Sequence, residues 1–428
     1  MRPLHSFILN SLTISWRFVN AMKLSRSVAL VGAGMTRFGR HADLSSRELF
    51  VEALNKTEAS VDRNFDLKKI QALFLGNFTS DLFEHQGHTA PLMADWAGLC
   101  PAASTRVEGA CASGGLAFRM GVLAIASGLY DVVCAGGYEK MTALPTPAVT
   151  DALACASDSA YEGIPGATFP GLYAMMANAH MKKYGTKWDM LAKISLKNHR
   201  NGSINPLAQF NKSIEDIAKG KGFTDVMQFL NDPKSNPVVA WPLRLFDCSP
   251  ISDGSAAAIL VAAEKAKEFT DTPIYIIGTG QGSASMGLHD REELTTLPSA
   301  TEACSQAYKM AGVTPKDIQI AEVHDCFTIA ELIATEDLGF FKKGEGGKAA
   351  AEGRTAREGD KPINTSGGLK CKGHPVGASG VAQIVEHFEQ LRGTAGGRQV
   401  PDVELTLTHN VGGSGATAVV HILSKNKP

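Results

Sequence analysis

Four features of this chain occur twice, once in each half and in the same order, and that repetition restricts the fold more than any single motif. An apolar run enters a pair of glycines at residues 28–34 (Val-Ala-Leu-Val-Gly-Ala-Gly) and again at 274–280 (Ile-Tyr-Ile-Ile-Gly-Thr-Gly). Each reads as a buried strand ending in a glycine turn. A helically periodic segment then precedes a second apolar strand, at 48–54 and 70–76 in the first half and at 300–308 and 318–324 in the second. Small-residue turns open helices at 111–115 (Cys-Ala-Ser-Gly-Gly) and 373–380 (Gly-His-Pro-Val-Gly-Ala-Ser-Gly). The last pair, 252–261 and 412–421, runs from glycine and alanine into branched apolar residues. With 428 residues the chain exceeds the roughly 250–300 at which a single core stops growing. The repeat therefore predicts two similar α/β halves, each a mixed sheet with helices, packed against one another.

The repeat also sets the boundaries. Residues 27–140 together with 246–268 form the N-terminal half, and residues 269–428 the C-terminal half. Between them, 141–245 is punctuated by Pro145, Pro147, Pro165, Pro170, Pro206, Pro233, Pro237 and Pro242, which predicts an inserted loop domain covering a ligand site built by the halves. Its Lys182, Lys183, Lys193, Lys197, Arg200 and Lys212 either meet phosphates or form a solvated surface. Residues 1–26 carry Arg2, Arg17, Lys23 and Arg26 with hydroxyls and no acid before Asp43, the pattern of a mitochondrial presequence. The expected location is the mitochondrial matrix, with peroxisomal and cytoplasmic locations as alternatives.

Charge excludes one class of partner. With 42 Lys+Arg against 43 Asp+Glu there is no general attraction to nucleic acid. No stretch reaches the ~18 apolar residues of a membrane span. The eight cysteines are scattered, without a Cys-x-x-Cys pair, so each is considered for its own chemistry.

Cys111 follows a strand end and precedes the helical pattern Leu116, Met120, Leu123. A helix N-terminus lowers a thiol pKa from its usual ~8.5 and favours the nucleophilic thiolate. The alternative is a small buried structural cysteine. His374 lies at the equivalent helix start of the other half and is a candidate base for Cys111. His324 and Cys326, in His-Asp-Cys-Phe at 324–327, offer an imidazole and a second thiol at one strand end. Asn410 and Gly412 occupy the turn of the last strand pair, where glycine backbone can donate to an anion. Cys111, His324, Cys326 and His374 are too dispersed for a metal-ligand motif.

These motifs together resemble the thiolase superfamily over nearly all of residues 27–428. The pairing of Gly-His-Pro-Val-Gly-Ala-Ser-Gly with an upstream Gly-Ala-Cys-Ala-Ser-Gly-Gly is the most specific part. His-Asp-Cys-Phe, with the stretches at 197–206 and 247–254, resembles the sterol carrier protein type. The resemblance implies the thiolase fold, layered α-β-α-β-α with an inserted loop domain, and a Cys111 acyl-enzyme. It further implies cleavage of a 3-oxoacyl-CoA by CoA to acetyl-CoA or propionyl-CoA and a shortened acyl-CoA, or the reverse condensation.

The implied catalytic set is Cys111, His324, Cys326 and His374. The backbone N–H groups of Cys111 and Gly412 would form the oxyanion hole, and Ser249 would contact the pantetheine arm. Coenzyme A is then substrate, with no cofactor and no metal, and the protein a homodimer or a tetramer. Where common thiolases carry a second catalytic cysteine in a Cys-x-Gly turn, this chain has Asn410-Val-Gly412, which implies that Cys326 takes over as the base. Two other readings are a ketoacyl-synthase-like condensing enzyme and a non-catalytic acyl-CoA or lipid-binding protein of the same fold.

Overall fold

The computed structural model describes residues 23–427. The candidate presequence lies outside the described residues as far as residue 22. Residues 23–26 belong to the folded body, where Arg26 donates to Asp131 (2.6 Å) and Glu264 (2.7 Å).

The first half runs β1 (Val28–Met35), α1 (Ser46–Ala59), β2 (Ala72–Gly76), β3 (Ala103–Val107), α2 (Ser113–Ala126) and β4 (Val132–Glu139). The inserted segment supplies α3 (Thr146–Ala154), α4 (Phe169–Tyr184), α5 (Trp188–Ser203) and a hairpin of β5 (Val238–Ala240) and β6 (Leu243–Arg244). The chain then returns to the first half as β7 (Gly254–Ala262). The second half follows as β8 (Ile274–Ser283), α6 (Pro298–Ala311), β9 (Ile320–Val323), α7 (Thr328–Asp337), α8 (Ser379–Arg392), β10 (Leu405–Gly412) and β11 (Thr417–Ser424).

Nine strands form one sheet in the order β3-β2-β4-β7-β1-β8-β11-β10-β9. The order reads symmetrically outward from the β1–β8 junction, where Val28–Leu30 pair antiparallel with Ile276–Ile274. β7 matches β11, β4 matches β10 and β2 matches β9. The counterpart of β3 is reduced to a single bridge between Ala321 and Ile363. Helices α2 and α8 lie between the two halves of the sheet, with α1 and α6 on the outer faces. This is the layered arrangement of two similar halves that the repeat predicts.

Local chemistry explains the elements. α1 is opened by a capping box in which Ser45 and Glu48 bond each other's backbone N–H. α6 has Pro298 at its start and ends at Gly312 in the left-handed conformation. The paired glycines of β1 and β8 are not turns, because both strands continue through them. A Cβ at Gly34 would lie 2.6 Å from the Thr57 nitrogen, and one at Gly280 would lie 2.0 Å from the Ala303 carbonyl oxygen. The glycines let α1 and α6 rest directly on their strands, a demand of packing that looks like a turn in sequence.

The central layer is tighter still. A Cβ at Gly137 would stand 2.1 Å from the Gly377 carbonyl oxygen, and one at Gly114 would stand 2.6 Å from the same atom. Backbone meets backbone here, so no flexible side chain can yield. Gly137→Ala is expected to lower stability by about 2–3 kcal/mol in urea unfolding. Gly220→Ala, with open space at its Cβ, is expected to change it by less than about 1 kcal/mol.

Candidate active site

The two central helices bring the chemistry together from opposite halves. Cys111 sits in a short turn, Ala110–Ala112, immediately before α2, with Ala110 held at φ 50. His374 precedes α8, and its backbone N–H donates to Ser252 Oγ (2.9 Å). His324 and Cys326 leave the end of β9. One ligand-type atom from each of Cys111, His324 and His374 lies within 4.8 Å of the others. The His324 and His374 rings meet edge to face, with centroids 5.1 Å apart.

Hydrogen bonds give the two imidazoles opposite tautomers. Ser379 Oγ spends its proton on the Pro375 carbonyl (2.8 Å), so His374 Nδ1–H must donate to Ser379 Oγ (2.7 Å). His374 Nε2 then carries a lone pair. Asn410 Oδ1 accepts from the Gly115 N–H (3.2 Å), and its Nδ2 donates to the Cys111 carbonyl (2.9 Å) and to His324 Nδ1 (3.2 Å). His324 Nδ1 is therefore the acceptor, and Nε2 carries its hydrogen. Both Nε2 atoms are buried without a partner among the described residues.

Burial keeps this set uncharged at rest. It lowers the His374 pKa to about 3, and with the neighbouring His374 and His409 it holds His324 well below the ordinary imidazole value. It pushes the Cys111 thiol up to about 12, opposed by hydrogen bonds from the backbone of Gly413 and of Cys111 itself. Burial works against the lowering expected of a helix end, and Cys111 stands two residues before α2, which begins at Ser113. Cys111 keeps partial exposure through the cavity. Cys326 is raised well above the usual thiol value, first by burial and then by the facing Cys111.

A cavity of about 210 Å³ opens on Cys111, Cys326 and His374 and is lined also by Tyr173, Gly413 and Ser249 among others. Ser249 donates its backbone N–H to the Cys326 carbonyl (2.9 Å), which seats that thiol. The backbone brought to the Cys111 sulfur is that of Gly413. Gly412 pairs with Thr417 in the β10–β11 ladder. Of the basic loop residues, Lys197 is buried against Glu331, while Lys183 and Arg200 pair with Glu293 and Glu215.

Several residues were not singled out from the sequence. Ser379 sits inside the histidine motif but has no distinguishing mark there. Glu139, at the end of β4, accepts from the N–H groups of Phe78 (2.9 Å), Thr79 (3.1 Å) and Gly377 (3.0 Å) and from Asn77 Nδ2 (3.0 Å). Asp325 accepts from Leu369 N–H (2.6 Å) and Asn198 Nδ2 (2.7 Å), tying the His324 strand end to the His374 loop. A lone acid at a strand end gives no signal of such a role.

The comparisons with known proteins agree with this geometry. The Thiolase, N-terminal domain family matches residues 28–264, and the Thiolase C-terminal domain-like family matches residues 280–425. An acetyl-CoA acetyltransferase of Methanothermobacter thermautotrophicus is 49% identical, covering 94% of this chain and 100% of the relative. Human sterol carrier protein 2 is 32% identical over 92% of this chain and 71% of its own length, in accord with the sterol carrier protein resemblance. Among solved structures, an Ltp2-ChsH2(DUF35) aldolase superposes with a TM-score of 0.78 at 25% identity, covering 94% of this chain and 99% of that one.

The mitochondrial expectation is overturned, because relatives that match over 94% of this chain are archaeal and archaea have no mitochondria. No helix among the described residues is long and apolar enough to cross a membrane. Thiolases use coenzyme A as a substrate and need no cofactor. Both halves matching in order, around a cysteine and two histidines in contact, establish that the chain belongs to the thiolase family.

Proposed function

We propose that this thiolase is an acetyl-CoA acetyltransferase acting on short 3-oxoacyl-CoA thioesters, with Cys111 as nucleophile. The observation that carries the reading is the pair of opposed tautomers, a lone pair on His374 Nε2 and a proton on His324 Nε2, beside the Cys111 thiol.

In thiolysis, His374 Nε2 takes the Cys111 proton as sulfur attacks the 3-oxo carbon. His324 Nε2–H and backbone N–H groups at Cys111, Gly412 and Gly413 meet the oxygen charge, the kind of preorganised donor set whose members are each worth about 3–4 kcal/mol. The C2–C3 bond breaks, its electron pair forms the acetyl-CoA enolate, and the enolate carbon takes the Cys326 proton. Acetyl-CoA leaves, so the acyl-enzyme stands beside an imidazolium and a thiolate of opposite charge. Incoming CoA gives its thiol proton to Cys326, and its sulfur attacks the acyl group. Departing Cys111 recovers its proton from His374. Condensation is the reverse.

Two further readings accompany this one. The cavity of about 210 Å³ lies below the ~300–1,000 Å³ of drug-sized pockets, which favours an acetoacetyl-sized acyl group. A homodimer is supported by the edge strand β3 and the groove beside it, lined by Phe74, Ala103, Thr105, Met120, Leu123 and Leu129. Leu129 is 69% exposed there. On the same helix α2, Arg119 Nε and Nη1 are buried without an acceptor among the described residues. A second copy on this face would cover the apolar groove and close the β3 edge.

Thiolysis of acetoacetyl-CoA by the purified protein is expected to exceed that of a long-chain 3-oxoacyl-CoA. Cys111→Ala should leave no acyl-enzyme in the mass spectrum, and Cys326→Ala should slow cleavage by about 10²–10⁴-fold. Inactivity of the wild type on every 3-oxoacyl-CoA would overturn the reading. Since burial lowers the His374 pKa to about 3, the kcat/KM profile should show no inflection near the free imidazole value of about 6.5. Leu123→Glu is expected to convert a dimer to monomer in light scattering, and a wild-type monomer would remove the dimer proposal.

A further inference from the structure

The inserted segment sends one polar group into the reacting centre. α4 is opened by Thr168, whose Oγ1 accepts from the Gly171 N–H (3.4 Å), with Pro170 in the first turn. One turn in, Tyr173 is 1% exposed and lines the cavity together with Cys111 and Cys326. Its ring packs on Phe327, centroids 4.7 Å apart, which sets the position of the hydroxyl. That hydroxyl donates to the Gly413 carbonyl (3.0 Å), and the packing on Phe327, the chain neighbour of Cys326, sets it in the same cavity as the Cys326 thiol.

A phenol has one proton and here two groups that can accept it. While Cys326 is a thiol, the Tyr173 hydrogen goes to the Gly413 carbonyl and the S–H can donate to the phenol oxygen. Once Cys326 has given up its proton, the sulfur is the stronger acceptor, and rotation about the phenol C–O bond brings the hydrogen to it. No bond to hydrogen breaks in that rotation.

We propose that Tyr173 is a further catalytic residue, the hydroxyl that holds the Cys326 thiolate while the acyl-enzyme waits for its second substrate. The inference rests on the thiolase mechanism above, with Cys326 as base. Cys326 S–H gives its proton to the enolate carbon, Tyr173 O–H donates a hydrogen bond to the resulting sulfur anion, and the CoA thiol later returns a proton to that sulfur. Tyr173 keeps its own proton throughout. In the condensing direction the same bond stabilises the thiolate that removes the α-proton of acetyl-CoA.

Tyr173 also bonds the carbonyl of Gly413, the residue whose backbone N–H serves Cys111, so the test must separate the two contacts. Acetylation of Cys111 by p-nitrophenyl acetate, whose leaving group departs as an anion and needs no proton from Cys326, uses only Cys111, His374 and the oxyanion donors. Exchange of acetyl-CoA α-protons with D₂O on the acetylated enzyme uses Cys326. Tyr173→Phe keeps the ring on Phe327 and removes only the hydroxyl. It is expected to slow deuterium incorporation and acetoacetyl-CoA cleavage by about 10- to 100-fold, the range for a hydrogen bond to a charged group, while acetylation of Cys111, read by mass, keeps its rate. Equal losses in both steps would mean that Tyr173 only seats Gly413, and no loss in either would mean that the hydroxyl is idle. Either result overturns the inference while leaving the thiolase reading intact, whereas an inactive wild type would overturn that reading first.

Discussion

The position of every reacting group depends on one contact, the crossing of backbone against backbone where the two central helices begin. Gly76, Gly114, Gly137 and Gly377 approach so closely that a methyl group on any of them would overlap main-chain atoms of the next. Glu139 locks the crossing with three backbone N–H groups and one amide, drawn from both halves. Burial raises that carboxyl to about 7, while these donors oppose the shift. Because Cys111 lies just before one helix and His374 just before the other, the crossing fixes their separation. A site built from residues distant in sequence thus inherits the rigidity of the tightest packing in the molecule.

The same burial decides the electrostatics. Separate charges on Cys111 and His374 are disfavoured in a dry site, and both shifts point to the neutral pair. In the proposed reaction charge appears only when substrate is present, as an imidazolium and a thiolate that attract each other strongly at low dielectric. Hydrogen-bond direction prepares for this without adding charge. Ser379 and Asn410 determine which imidazole nitrogen bears hydrogen, so one ring can accept a proton and the other can donate a hydrogen bond at the outset.

The repeat made the fold legible because each half must bury the same strand-helix-strand unit, and that demand writes the same apolar pattern twice. Cys111, His324, Cys326 and His374 were legible as reactive types at strand ends and helix starts. The glycines of β1 and β8 were misread as turns because close helix packing and tight turning both select for a missing side chain. Glu139 and Asp325 stayed invisible, since their roles arise from the backbone N–H groups that the fold assembles around them, and Ser379 because its role is set by the imidazole five residues before it and the Pro375 carbonyl that takes its own proton. The missing fifth strand of the second half was hidden for a related reason, since Ile363 alone makes the bridge to Ala321.

The position of the second thiol follows from strand geometry. β9 and β10 are parallel neighbours, with Val323 beside His409, so their ends emerge at the same edge about 4.8 Å apart. A thiol can move from the end of β10, where common thiolases carry it, to the end of β9 and still face the same cavity. The vacated place holds Asn410, and an amide does there what a thiol cannot. It accepts from Gly115, donates to the Cys111 carbonyl and donates to His324 Nδ1 at once. Moving the thiol to β9 therefore frees the β10 position for the group that sets the His324 tautomer. A cysteine placed back at 410 could not hold these three bonds, and His324 would lose the partner that keeps the hydrogen on Nε2.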